Sequence, residues 1–312
     1  MPGSQATPAG PEPTGVGPAA GSIESERPAA YHRLARHWHS YRWWKPLVGL
    51  VLSAVLYMVV STSLLALMAP DAVMDPSLEP AYLEDMYDLR GFFLSFGGIA
   101  LMLPCMLLGF RLAGCHPLGL FSSVAGCLRW SLMLRCLAPA VILTAVGSAV
   151  ALWSVVMSPE PLELGLQVPV IMVVLTVLVV PFQAAAEEYV FRGALMQLIG
   201  AWLKHPAWAI LLPVPLFVIG HIYDLPGQIG IAVFALVAGW ITWRTGGLEA
   251  AIVLHVVNNL MVSLTGFLGL GDLNATETGW VVAGVSGGTA VLYAWWIDAR
   301  ERPAARTQAR TW

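Results

Sequence analysis

Glu187, Glu188 and Arg192 fall within six residues of one another, in the run from Ala184 to Gly193 and deep in an apolar region. An ionisable group at membrane depth costs on the order of 2.5–3.5 kcal/mol on insertion scales, so each needs a partner or a purpose. If residues 181–203 are helical, Glu188 and Arg192 are four apart and can pair on one face. Glu187 then lies about 100° around the helix from Glu188, without an obvious counter-charge. On this segment alone, a buried Glu188–Arg192 pair that fixes helix packing, with Glu187 as an incidental acid, accounts for the cluster equally well.

Two further groups change that balance. Phe217 and His221 are spaced four apart, and so are His255 and Asn259. A single histidine inside a membrane span is commonly a packing residue. Together with the cluster, and apart from Arg135 and Glu249 near span ends, these are the main ionisable groups at depth, all in the C-terminal half. A desolvated carboxylate suits general-base work. Imidazoles and an amide can stabilise an oxyanion or hold a metal or a water. That set can activate water against an acyl carbon. No Ser or Cys nucleophile arrangement stands out, and no H-E-x-x-H zinc motif is present.

The elements that must position these residues are membrane helices. Of 312 residues, 57% are hydrophobic and 11% charged, with a mean hydropathy of +0.71; soluble domains carry about 25% charge. The expected fold is an all-α, polytopic bundle of about eight spans: 46–68, 91–113, 131–157, 166–203, 207–222, 228–243, 248–268 and 279–297. The fourth is too long for one straight helix, and Pro213 and Pro215 predict a break in the fifth. Lys204-His205-Pro206 reads as a turn between antiparallel spans. Glu187 and His221 lie equally far from Lys204, about 25 Å along each arm at about 1.5 Å per residue. His255, eleven residues past Arg244, comes out somewhat lower, at about 16 Å, and within reach of the cluster if helices tilt or break.

Charge segregates by loop. Arg33, Arg36, Arg42 and Lys45, mixed with Trp38, Trp43 and Trp44, form a basic interfacial segment. Arg111, Arg129, Lys204, Arg244 and Arg300 fall in connections on the same side, and Asp71, Asp75, Glu79, Asp85, Asp88, Glu160, Glu163, Asp272 and Glu277 on the other. The positive-inside rule then expects both termini in the cytoplasm, and the chain to be integral in a membrane such as the bacterial cytoplasmic membrane. Residues 1–30 are expected to be a disordered tail without a signal-peptide core. Cys105, Cys115, Cys127 and Cys136 show no C-x-x-C pairing and read as free thiols. No basic domain suits nucleic acid.

The ordered motifs Glu187-Glu188-x-x-x-Arg192-Gly193, Phe217-x-x-x-His221 and His255-x-x-x-Asn259 resemble those of the CPBP (CAAX protease and bacteriocin-processing, or Abi) intramembrane proteases. Eukaryotic relatives in that family remove the last three residues from prenylated CAAX proteins. The resemblance implies a catalytic membrane core at 164–270, preceded by spans 1–3 within 31–163 and followed by a last span and basic tail at 271–312. It implies a peptidase in which Glu187 activates water and Glu188 orients the site through Arg192. His221, His255 and Asn259 would bind the water and the oxyanion. The substrate would be a membrane-anchored or lipidated peptide or protein. Zinc stays open: Glu187, His221 and His255 are a zinc-like set, while Glu, His and Asn can equally act without metal. A membrane scaffold, an immunity protein and a proton-coupled transporter are the alternatives.

Overall fold

The computed structural model describes residues 30–75, 81–83, 85–157 and 164–308. The expected tail before Ala30 and the loop acids Glu79, Glu160 and Glu163 lie outside these residues. Eight helices carry the fold: α1 (Lys45–Met68), α2 (Leu89–Leu112), α3 (Trp130–Val156), α4 (Val170–Trp202), α5 (Pro206–Ile219), α6 (Leu225–Thr245), α7 (Glu249–Phe267) and α8 (Gly279–Gln308). Among the described residues there is no strand, only an isolated bridge between Ser123 and Gly247. All but α5 are long and apolar enough to cross a membrane. The chain is an integral, multi-pass membrane protein.

The fifth expected span, 207–222, is corrected. It is two pieces, Pro206–Leu211 and Pro213–Ile219, of six and seven residues. Proline is tolerated in the first turn of a helix and breaks a continuing one, so Pro213 ends one piece and opens the next. Together they rise about 20 Å, short of a hydrocarbon core of about 30 Å. An irregular stretch, 220–224, follows, and at its end the Asp224 amide donates to the Thr276 carbonyl at 2.9 Å. The end of the fold that holds Asp224 also gathers Asp85, whose carboxylate accepts from the Asn274 side-chain amide at 2.9 Å, and the Gln167 amide, which donates to the Phe267 carbonyl at 2.8 Å.

The opposite end is basic and tightly tied. Arg129 grips the fully buried Glu249 through Nε to Oε1 at 2.9 Å and Nη2 to Oε2 at 2.7 Å, and Arg244 pairs with Asp298 at 2.6 Å. The connection before α3 folds back into the bundle. There the Ser122 carbonyl accepts from the Leu248 amide at 2.9 Å, and the Ser122 hydroxyl meets the Tyr189 hydroxyl at 2.6 Å. Gly246 closes α6 at φ +73°, a left-handed position that glycine occupies without strain.

At this end a short 3-10 helix, Tyr31–His37, docks on the last turn of α4. Tyr31 Oη donates to the Phe121 carbonyl, Arg33 to the Gly200 carbonyl at 2.8 Å, and Arg36 to the Ala201 carbonyl at 3.0 Å. Two guanidinium groups thereby meet the unpaired carbonyls and negative dipole end of α4. A Cβ at Gly200 would collide with the His32 carbonyl, so the close approach requires glycine. His32 Nε2 donates to the Lys204 carbonyl at 3.0 Å, while buried Nδ1 has no partner. Burial, with smaller contributions from Arg33 and His205, holds its pKa below the usual histidine value, despite the Lys204 bond. The docked segment therefore resists a proton that the undocked one accepts. Docking is complete above about pH 6.5 and weakens as pH falls below it. Hydrogen exchange, corrected for intrinsic rates, should show protection of residues 31–37 at pH 7.5 falling by pH 5.5. His32→Gln, which keeps a donor but cannot titrate, should remove that dependence.

Candidate functional site

The site forms where α4 and α7 run antiparallel, so that residues later in one helix face residues earlier in the other. α4 continues past Pro181 and widens into a π-helical turn at Tyr189–Leu195 immediately after Glu188. Such turns recur at functional sites because they re-aim side chains that a regular helix would place elsewhere. Arg192 lies within the turn and donates from Nη1 to Glu188 Oε1 at 2.9 Å. Its guanidinium stacks 4.3 Å over the Phe217 ring, with Phe234 at 5.9 Å, and Nη2 reaches the Ala235 carbonyl at 3.4 Å. Aromatic faces and a carboxylate together replace the water that a buried guanidinium loses.

His255 of α7 bridges both carboxylates. Its Nδ1 lies 2.8 Å from Glu188 Oε1, and its Nε2 lies 3.3 Å from Glu187 Oε2. Glu188 is fully buried, and Glu187, Arg192 and His255 are each at most 7% exposed. Two carboxylates thus face one guanidinium and one imidazole, each buried and each with a polar partner. Glu187 Oε2 has no hydrogen-bond partner. One turn along both helices, Asn259 Nδ2 donates to Gln183 Oε1 at 3.0 Å and Asn259 Oδ1 accepts from Asn258 Nδ2 at 3.1 Å.

His221, at the end of α5, stands apart from the carboxylates. It makes no hydrogen bond or ion pair with either one among the described residues. Its Nδ1 donates to the Phe217 carbonyl at 2.8 Å, which leaves Nε2 open. Its ring lies 4.8 Å from that of Phe217, and Phe217 in turn lies 6.3 Å from His255. Thus Glu187, Glu188, Arg192 and His255 are in direct contact, Asn259 adjoins them, and His221 is linked through Phe217. Both histidines present Nε2 with Nδ1 anchored, as metal-binding histidines do. However, among the described residues no three His, Cys, Asp or Glu side chains stand together as a metal shell. The donor chemistry suits zinc, and the arrangement of Glu187, His221 and His255 does not.

Sequence reasoning missed Gln183, Phe234 and the Arg129–Glu249 lock. Gln183 stands one helical turn before Glu187 within an apolar stretch, and that spacing was the available signal. Asn258, beside the motif position Asn259, also takes part, since its side-chain amide donates to Asn259.

Residues 166–261 match the family model described as Rce1-like, type II CAAX prenyl endopeptidase Rce1-like. This matched segment, which agrees with the CPBP/CAAX protease family, contains Glu187, Glu188, Arg192, His221, His255 and Asn259. The chain is 30% identical over 94 residues to the uncharacterized protein YyaK of Bacillus subtilis (strain 168), an alignment covering 28% of this chain and 31% of that protein. The chain thus matches about a third of that relative's length. No solved structure matches it.

Proposed function

We propose that the chain is an intramembrane peptidase of CAAX-protease type, which hydrolyses a peptide bond in a membrane-anchored or lipidated peptide or protein. The observation that carries this reading is the bridging of Glu187 and Glu188 by the two nitrogens of His255. Glu188 holds the ring so that Nε2 faces Glu187 Oε2, which makes no hydrogen bond among the described residues. With Nε2 of His255 protonated, Glu187 is the base. It takes a proton from water, and the hydroxide adds to the scissile carbonyl carbon. His255 Nε2–H and an Asn259 amide hydrogen stabilise the resulting oxyanion. As the C–N bond breaks, the proton on Glu187 passes to the leaving amine. Arg192 holds Glu188 in place through its 2.9 Å bond. His221, with Nε2 open beside Phe217, contacts substrate or water at the edge of the site.

The basic end, which holds both the N-terminal segment and the end of α8, faces the cytoplasm in this reading, as expected of a bacterial cytoplasmic membrane protein. No step runs through a metal ion. Elemental analysis of active protein tests that point, and activity that follows zinc content would overturn it. The activity itself is tested by reconstituting the chain in liposomes with a farnesylated peptide ending in a CAAX sequence and with an unlipidated transmembrane peptide. Product from either supports peptidase chemistry, and the pair distinguishes lipid-directed from span-directed cleavage. Proton flux under a pH gradient without any product would replace this reading with a transporter; neither flux nor product would favour a scaffold.

A further inference from the structure

Asn259 is held at both ends of its amide. Gln183 Oε1 takes one hydrogen from Nδ2, and Asn258 Nδ2 donates to Oδ1. A primary amide carries two donor hydrogens and one acceptor oxygen, and its two ends have nearly the same shape. In an apolar setting such a group could sit either way round. The end that faces a reacting oxygen then decides between attraction and repulsion. Gln183, 3% exposed, stands on α4 one turn before Glu187, just as Asn259 stands on α7 one turn after His255. The two helices therefore form a two-rung ladder, with Glu187, Glu188 and His255 on one rung and Gln183 and Asn259 on the next.

We propose that Gln183 is a positioning residue which, together with Asn258, fixes the polarity of the Asn259 amide. Its second Nδ2 hydrogen is then always available as the donor to the oxyanion. This rests on the peptidase reading and assigns a role to a residue outside the family motifs. An acceptor is required at 183 and a donor at 258. Either a neutral amide or a carboxyl group at 183 supplies the acceptor oxygen. A carboxylate at 258 would instead face Asn259 Oδ1 and turn the amide around.

The test uses the full chain in liposomes, with the farnesylated CAAX peptide as probe, and measures kcat and KM separately. Gln183→Leu should lower kcat by about 10- to 100-fold, up to the lower end of the range of about 10²- to 10³-fold for losing an oxyanion donor outright, with KM changed less than about twofold. Gln183→Glu should recover most of that kcat, and Asn258→Asp should fall as far as Gln183→Leu. A wild-type kcat in Gln183→Leu would overturn the inference, as would a Gln183→Glu variant no better than Gln183→Leu. A readout independent of cleavage follows the Asn259 side-chain amide by NMR in 15N-asparagine-labelled protein in lipid nanodiscs. Protected exchange is expected in the wild type and loss of protection in Gln183→Leu; equal exchange in the two would also overturn the inference. Glu187→Gln separates the two levels: if it leaves cleavage intact the peptidase assignment to Glu187 fails, whereas loss in Glu187→Gln alone sinks only the role of Gln183.

Discussion

Glu187→Gln is expected to lower the rate of peptide cleavage by about 10²- to 10⁴-fold, the usual contribution of a general base, while the bundle stays folded. Glutamine matches glutamate in size, and the Glu187 contact it alters, Oε2 to His255 Nε2 at 3.3 Å, is an ion-pair approach without a hydrogen bond. His255 Nε2 still faces a polar side chain after the change, so thermal unfolding should shift little. The His255 ring remains held through Nδ1 by Glu188. What disappears is the capacity to accept a proton from water. Glu188→Gln should behave differently, because its Oε1 serves both Arg192 and His255; it should lose stability and activity together. The comparison is made by cleavage of the farnesylated probe and by thermal unfolding of matched preparations. Equal cleavage by wild type and Glu187→Gln would move the base to another residue.

How much of this was legible from residue spacing differs between the elements. The all-helical bundle followed from composition. The break in α5 followed from Pro213 and Pro215, although not its shortness, since apolar residues continue through Ile222 and give no sign of where the helix stops. The pairing of Glu188 with Arg192 followed from the four-residue interval, which survives the π turn because Glu188 is the residue that precedes it. The height of His255 followed only in part: tilt or breaks would bring it within reach of the cluster, but the count alone did not. Counting from Arg244 placed it below Glu187, whereas the two are in contact. The reason lies in a long-range tie: the connection before α3 dips into the bundle and holds the start of α7 there through Ser122 and Arg129. Nothing local to residues 244–255 encodes that depth. Gln183 was overlooked for a related reason: a lone amide has no chemical signature until the helix opposite supplies Asn259.

Arg192→Leu is expected to destabilise the fold by about 3–5 kcal/mol, the penalty for leaving one member of a buried ion pair uncompensated. Glu188 is fully buried and its remaining contact is His255, so loss of the guanidinium leaves the carboxylates in excess. The guanidinium also fills the space over Phe217 and beside Phe234 and reaches the Ala235 carbonyl, so α4, α5 and α6 all lose a common contact. Arg192→Lys keeps the charge but lacks the planar fork that bonds Glu188 while stacking on the ring, and should recover only part of the loss. The informative variant is the pair Glu188→Leu with Arg192→Leu. Well-packed apolar groups can replace a buried ion pair at little cost, so the thermal midpoint should rise above that of Arg192→Leu alone. Cleavage should not return, because His255 would no longer be held toward Glu187. Recovery of stability without recovery of activity would assign the pair to orienting the site; recovery of both would reduce it to a packing device.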